Sequence, residues 1–406
     1  SWHLYIVDNA HNLRLKGIDR ERVTVLRNIN AGGAGGFTRG LMEAQTNDHT
    51  HFLCMDDDIL LESESVFRLF GIFSHTLNEV CISGTMLEMG KRHLIHESGA
   101  RYNCISHVNK YLPFTIKSLK QLYDVSDPDA LDALLLEEPI DYGAFWFCAF
   151  TQNTVKKIGL PMPYFIRWDD AEFGLRITRQ VQDHVVAFPG IAVWHEPFYK
   201  KDTAWMDYYT LRNHLITDAI HFQNQHERKR AVKMMLRKMI SFLFTYRYDY
   251  VIALLDGWSD YLQGPRIFDE DPEKRHKRLL TTCKQACRER EPTQKEEKAI
   301  QKDRLFDPIA HPRWREILRV ILLNGILLPK WLLLKKPAYI FETHGEGYKT
   351  FRKKKAYVYH PYKGFRVRTM DREFGKALAW KMVLLWWKTL WHWKWAMKQW
   401  HNAAPE

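Results

Sequence analysis

The sequence predicts an α/β fold: a mixed central sheet flanked by helices, followed by a basic, mainly helical C-terminal region. Two observations predict it. From Trp2 to about Trp194 short β-type runs alternate with helical patterns, and from Thr203 onward the pattern turns helical and basic. The alternation is irregularly spaced, which favours a mixed sheet over a regular doubly wound one, and no internal repeat is present.

Strands are expected over 3–8, 22–27, 51–55, 79–84, 144–150 and 185–193, where β-branched and aromatic residues cluster. Helical spacing is expected over 37–46, 62–76, 129–137, 151–158 and 170–180. Residues 228–263 read as paired helices closing on Gly264-Pro265, and 266–316 as solvated helix and charged linker. These elements divide the chain into a catalytic unit over 1–215, a helical extension and linker over 216–316, and a basic, Trp-rich region over 317–406.

Charge divides the chain in the same place. Residues 1–215 hold 21 Lys+Arg against 27 Asp+Glu, whereas 216–406 hold 39 against 21. Chemistry is expected in the acidic half and an anionic partner for the basic half. The six cysteines form no CxxC pair, so neither a zinc site nor a disulfide framework is expected, and a reducing cytoplasmic setting is the default.

The run "ILRVILLNGILLPKWLLL" over 317–334 is broken by Arg319, Asn324, Gly325, Pro329 and Lys330, so an interfacial or core helix is expected there, not a membrane span. The tail from Lys376 to Trp400 holds seven Trp, five Lys and no acid. On a helix its lysines fall within an arc of roughly 140°, the make-up of a helix lying on an anionic membrane surface. Docking on the protein body is the alternative. The basic residues interleave with Trp and Leu and build no nucleic-acid module, so no nucleic-acid partner is expected.

Four stretches carry chemistry. In Asn30-Ala31-Gly32-Gly33-Ala34-Gly35-Gly36, glycines precede a helix expected to begin near Phe37. Backbone amides there suit a phosphate, and Arg39 adds a charge suited to a diphosphate. A flexible strand-to-helix turn fits the same glycines. In Asp56-Asp57-Asp58, which comes after an apolar strand, Asp56 and Asp58 point the same way and suit one hard cation, while Asp57 points elsewhere. Asp169 and Asp170, in "WDDAEFG", fit either a helix cap and first turn or a general base. His195, in "VWHEP", comes after a strand and suits a third metal ligand.

Together "NAGGAGGFTRG", "MDDDI", "FWFC", "RWDDAEFGLR", "WHEPF" and "DYYTLRNH", in this order over residues 3–215, resemble the inverting glycosyltransferases of family 2, and within them the galactofuranosyltransferase branch. The resemblance implies a GT-A nucleotide-diphospho-sugar transferase fold. It implies that Asp56, Asp58 and His195 hold Mn2+ or Mg2+ on the donor diphosphate, with Asp8, Asn30, Gly32, Gly33, Gly35, Gly36, Arg39 and Asp57 around the UDP-sugar. Asp170 would be the base for the acceptor hydroxyl, supported by Asp169, with Trp146 and Trp168 in the acceptor site. One carboxylate suffices for single-step inversion, so no covalent intermediate is expected.

The implied acceptor is a growing cell-surface glycan or a polyprenyl-linked oligosaccharide, met at the inner face of the cell membrane. The strand carrying "VDN" is normally the second in this family, so this sequence is expected to lack a loop that helps to bind uracil and ribose, and weak donor binding is expected. Another nucleotide sugar (galactopyranose, glucose or rhamnose) or an inactive membrane scaffold are the rival readings.

Overall fold

The apolar run His51–Met55 forms a strand in the computed structural model, which describes residues 1–14, 16, 17, 19, 21–105, 116–135, 138–198, 203–302, 313–342, 346–361 and 363–404. In the first half the elements are β1 (Leu4–Asp8), β2 (Val23–Arg27), α1 (Gly32–Thr46), β3 (His51–Met55), β4 (Leu60–Leu61), α2 (Ser63–His75) and β5 (Val80–Glu88). Next come β6 (Lys91–Glu97), β7 (Ala100–Tyr102), β8 (Ile116–Ser118), α3 (Pro128–Leu135), β9 (Phe147–Thr151), α4 (Gln152–Ile158), α5 (Asp169–Leu175) and β10 (His184–His195).

The central sheet has the order β3-β9-β5-β10-β4, with β6 also on β5. It is mixed: β5 and β10 run parallel, while β9 is antiparallel to both β3 and β5. Strands β1 and β2 pair in parallel with each other. This curled, helix-flanked sheet is consistent with the GT-A-like arrangement expected. Its strands are apolar at the positions facing helices: Phe52, Ile82, Met86, Phe147, Ala149 and Val193 are all buried.

Several boundaries differ from the sequence reading. Helix α1 begins at Gly32, not near Phe37, so the glycines form its first turn. The low helix propensity of glycine hid this. The strand expected over 144–150 begins at Phe147. The helix expected over 170–180 is α5 continued by a π turn, Arg176–Val181. Strands β6, β7 and β8 were not expected; the expected helix 129–137 runs from Pro128 to Leu135, and its last two positions lie outside the described residues.

The C-terminal half holds α6 (Ala204–His221), α7 (Arg228–Phe244), α8 (Tyr248–Tyr261), α9 (Pro272–Ala286), β11 (Glu289–Arg290), α10 (Gln294–Lys302) and α11 (Arg313–Ile321). It closes with β12 (Ala338–Phe341), β13 (Lys355–His360), β14 (Gly364–Thr369) and α12 (Arg372–Asn402). It is therefore not helical throughout. A four-stranded sheet of order β11-β14-β13-β12 interrupts it. Lys355, Arg366 and Arg368 in its two middle strands masked the apolar positions Ala356, Val358 and Val367 that it buries. Nor is 266–316 only solvated: Leu279 and Cys283 of α9 pack beneath Tyr209 and Tyr250, whereas 303–312 lie outside the described residues.

Helix α11 ends before Leu323–Gly325, where Leu323 and Asn324 take positive φ. No helix among the described residues is long and apolar enough to cross a membrane. Helix α12 docks on α6, α7 and α8 along Leu378, Met382, Leu385, Thr389, Trp393, Ala396 and Trp400, a repeat of three and four residues. The Trp400 indole donates to the Tyr261 carbonyl at 2.8 Å. Docking buries only this stripe. Trp380, Trp387, Trp391 and Trp395 are exposed, and they share the outer face with the lysines; they do not oppose them.

Candidate active site

Strand pairing brings the acidic turn to His195. Leu60 and Leu61 pair antiparallel with Trp194 and Val193, so the chain leaving β3 crosses to the end of β10. Asp58 lands beside His195 as a consequence. On the other side Met55 pairs with Phe147, and the Asp56 amide donates to the Trp146 carbonyl at 3.3 Å.

His195 Nε2 lies 2.8 Å from Asp58 Oδ1 and 3.8 Å from Asp56 Oδ2. Its Nδ1 lies 2.7 Å from the Glu196 carbonyl oxygen, which only accepts, so Nδ1 carries a proton. Nε2 faces two carboxylates, an arrangement favoured by a positive charge between them, whether a proton or a bound cation. The donor set, two carboxylates and one imidazole within 4.8 Å of one another, fits a divalent cation such as Mn2+ or Mg2+. Asp57 is exposed and lies outside this set.

More negative charge converges on the same cleft. Burial first, and then Asp58, Asp170 and Asp57, push the Asp56 carboxyl up to about 6, against the lowering effect of His195. Asp170 is likewise raised to about 6 by burial, opposed by the Ala171 amide and by Arg167. Asp169 is fully enclosed and raised well above the carboxylate range by burial and by Asp170. Asp170 and Asp169 thus face the Asp56 carboxylate across one site.

Helix α5 presents this pair through an unusual approach. Phe165, Arg167 and Trp168 all have positive φ, at +73°, +70° and +72°. Asn213 and Arg212 of α6 hold the carbonyl groups of this segment, and the Phe165 carbonyl accepts from the Ala34 amide at 3.1 Å. Gly32 must be glycine there: its φ is +71° and a Cβ would lie 2.0 Å from the Phe165 oxygen. The glycine turn and the carboxylate pair are therefore one structural unit.

The remaining donor-side residues divide. A Cβ on Gly33 would meet no atom within 4 Å, so this glycine faces open space at the start of α1. Gly35 and Gly36 instead permit packing, against Ala31 and against the Asn9 side chain. Asn30 Oδ1 accepts from the Gly32 amide at 3.2 Å. Arg39 pairs with Glu43 at 2.7 Å on α1. Asp8 accepts from the Ala10 and Leu13 amides at 3.2 and 3.1 Å, which shape the turn after β1. Burial raises its carboxyl, but these amides outweigh it and hold Asp8 below its usual range.

Both tryptophans read as acceptor contacts are enclosed. Trp146 is 7% exposed and donates to the Gly84 carbonyl at 3.2 Å, with Phe198 beside it. Trp168 is 5% exposed and stacks on His214 at 4.4 Å. They wall the cleft and present little of their faces to it.

Sequence reasoning missed Glu97. It ends β6, is fully buried, accepts from the Ser118 hydroxyl, and is pushed up to about 8 by burial, with Asp170 adding to the rise. It also missed Asn213, although this residue lies within the "DYYTLRNH" stretch; only the tertiary fold shows what its amide holds.

No protein-family model matches the chain. The chain is 29% identical over 253 residues to the galactofuranosyltransferase GlfT2 of Mycolicibacterium smegmatis, covering 60% of this chain and 38% of that protein. It is 29% identical over 256 residues to GlfT2 of Mycobacterium tuberculosis, covering 60% of this chain and 39% of the relative. The chain thus spans well under half the length of the curated relatives it matches. The likeness supports a glycosyltransferase.

Proposed function

We propose that the protein is a metal-dependent inverting galactofuranosyltransferase of the family 2 type. It would move galactofuranose from a UDP-sugar to a hydroxyl of a growing glycan. The carrying observation is the meeting of Asp56, Asp58 and His195 with the Asp169–Asp170 pair in one cleft. The similarity to GlfT2 supports the sugar.

Asp56, Asp58 and His195 would hold Mn2+ or Mg2+, which when bound offsets the charge developing on the departing diphosphate. Asp170, at the start of α5, takes the proton of the acceptor hydroxyl as its oxygen attacks the anomeric carbon. Asp169, buried beside it, would support it. Gly33 and the first turn of α1 lie toward the donor phosphates. Incubating the protein with a panel of UDP- and dTDP-sugars, Mn2+ and a galactan acceptor tests the reading. Transfer from UDP-galactofuranose, lost in Asp170→Asn, is the expected result; transfer from a pyranose donor alone overturns the sugar assignment.

The exposed face of α12, where Trp380, Trp387, Trp391 and Trp395 stand among Lys381, Lys388, Lys394 and Lys398, supports peripheral binding to an anionic membrane. A lipid-linked acceptor at the inner membrane face fits that placement.

A further inference from the structure

A second group of metal-ligating side chains lies outside the cleft. Cys104 comes after β7, Asp218 is near the end of α6, and His226 is in the turn after α6. All three are buried, and their ligating atoms lie within 4.8 Å of one another.

The separations suit a coordination shell. Cys104 Sγ lies 3.4 Å from Asp218 Oδ2, and His226 Nδ1 lies 3.3 Å from an oxygen of the same carboxylate, also Oδ2. Ligands at the usual distances from a tetrahedral zinc ion are about 3.3–3.5 Å apart. His226 Nδ1 is fully buried yet makes no aligned hydrogen bond. With its proton on Nε2, 3.3 Å from the Tyr261 hydroxyl, the ring would offer its Nδ1 lone pair to a cation shared with the Asp218 carboxylate.

The surroundings orient the ligands. The Tyr102 hydroxyl donates to Asp218 Oδ1 and the Ile105 amide to Oδ2, both at 2.8 Å. His226 stacks on Trp393 of α12 at 4.6 Å. Partners of this kind fix ligand geometry and tautomer around a metal. The cysteines lacked any zinc spacing in sequence because Cys104 is more than a hundred residues from Asp218 and His226.

We infer that Cys104, Asp218 and His226 bind one zinc-class divalent cation as a structural site. A thiolate and an imidazole select Zn2+ over the Mn2+ or Mg2+ suited to the Asp56 cleft. The ion ties the segment after β7 to α6, and through Trp393 it abuts α12. Through His214, which stacks on Trp168 and lies 3.4 Å from Asp218 Oδ1, it also backs the wall of the cleft.

The test is metal analysis of the whole protein, purified without chelators, together with Co2+ exchange. Expected are about one equivalent of zinc retained through dialysis and a thiolate-to-cobalt charge-transfer band after exchange. Cys104→Ser should remove the band and leave less than about a tenth of an equivalent of zinc, whereas Asp58→Ala should keep both. If Cys104→Ser does not fold, the unaltered protein decides: no retained zinc, or bound cobalt without the band, overturns the inference. The cleft of Asp56 has no thiol among its metal-facing groups, so this outcome is separate from the fate of the proposed transferase activity.

Discussion

The Asn213 side-chain nitrogen lies 2.9 Å from the carbonyl oxygen of Arg167, and 3.0 and 3.2 Å from those of Ile166 and Tyr164. Arg212 donates to the Tyr164 carbonyl at 2.7 Å. These two neighbours on α6 hold the left-handed residues that aim Asp169 and Asp170. Non-glycine residues in such conformations cost about 1–3 kcal/mol each, so they persist only where the surroundings enforce them. Asn213→Ala leaves buried carbonyls without a donor. It should destabilise the fold by roughly 2–4 kcal/mol and lower kcat more than it raises KM. A denaturant midpoint equal to that of the parent protein would refute the clamp.

Gly32→Ala should be comparably damaging. Its φ of +71° and the contact 2.0 Å from the Phe165 oxygen leave no room for a methyl group. Gly33→Ala, which meets no atom, provides the comparison and should unfold within about 1 kcal/mol of the parent. Equal melting temperatures for the two variants would count against this packing.

The transfer rate should depend on the ionisation of Asp170. Burial raises its carboxyl to about 6, and a base must be ionised to act. Activity should therefore level off at neutral pH and fall by about tenfold per unit below about pH 6. Asp170→Asn should lose about 10²–10⁴-fold in kcat and abolish the inflection. A profile that is flat down to about pH 5 would assign the base elsewhere.

Metal should stabilise the protein in a pH-dependent way. Asp56 and Asp170 have folded-state values raised to about 6, above their ordinary values. The folded state then binds these protons more tightly than the unfolded chain does. The contribution of these groups to stability is most unfavourable above about pH 6 and is relieved as pH falls through that value. Mn2+ relieves the same repulsion, so it should raise the melting temperature clearly at about pH 7.5 and far less at about pH 5. Asp58→Ala should remove most of the increment; a shift of equal size in that variant would place the ion elsewhere.

The outer face of α12 predicts selective membrane binding. Replacing Trp380, Trp387, Trp391 and Trp395 together by Ser leaves the buried Trp393 and Trp400 in place. The variant should keep its melting temperature yet lose about tenfold or more in partitioning onto anionic vesicles. Undiminished vesicle sedimentation would make α12 a docking helix alone.

Much of the cleft was legible in sequence because its ligands sit at strand ends. His51–Met55 and His184–His195 announce themselves by apolar runs, and Asp56, Asp58 and His195 lie just past them or at their ends. Helix α1 was misplaced because glycine propensity argues for a loop, whereas packing against Phe165 demands glycine in a helix. The C-terminal sheet was missed because Lys355, Arg366 and Arg368 in its middle strands obscured their apolar positions.

By itself the sequence determined the mixed α/β class, the acidic cluster and its order, and a tail whose Trp and Lys spacing makes an amphipathic helix. These are local properties, set by periodicity and by the residues at the end of each strand. Only the tertiary structure decided that β4 crosses to β10 and sets Asp58 against His195, and that Asn213 holds the turn before Asp169. It alone showed that Cys104 meets Asp218 and His226, and which tryptophans of α12 are buried. Those relationships join residues far apart in the chain, and their geometry comes from strand register and helix packing, which no local pattern records.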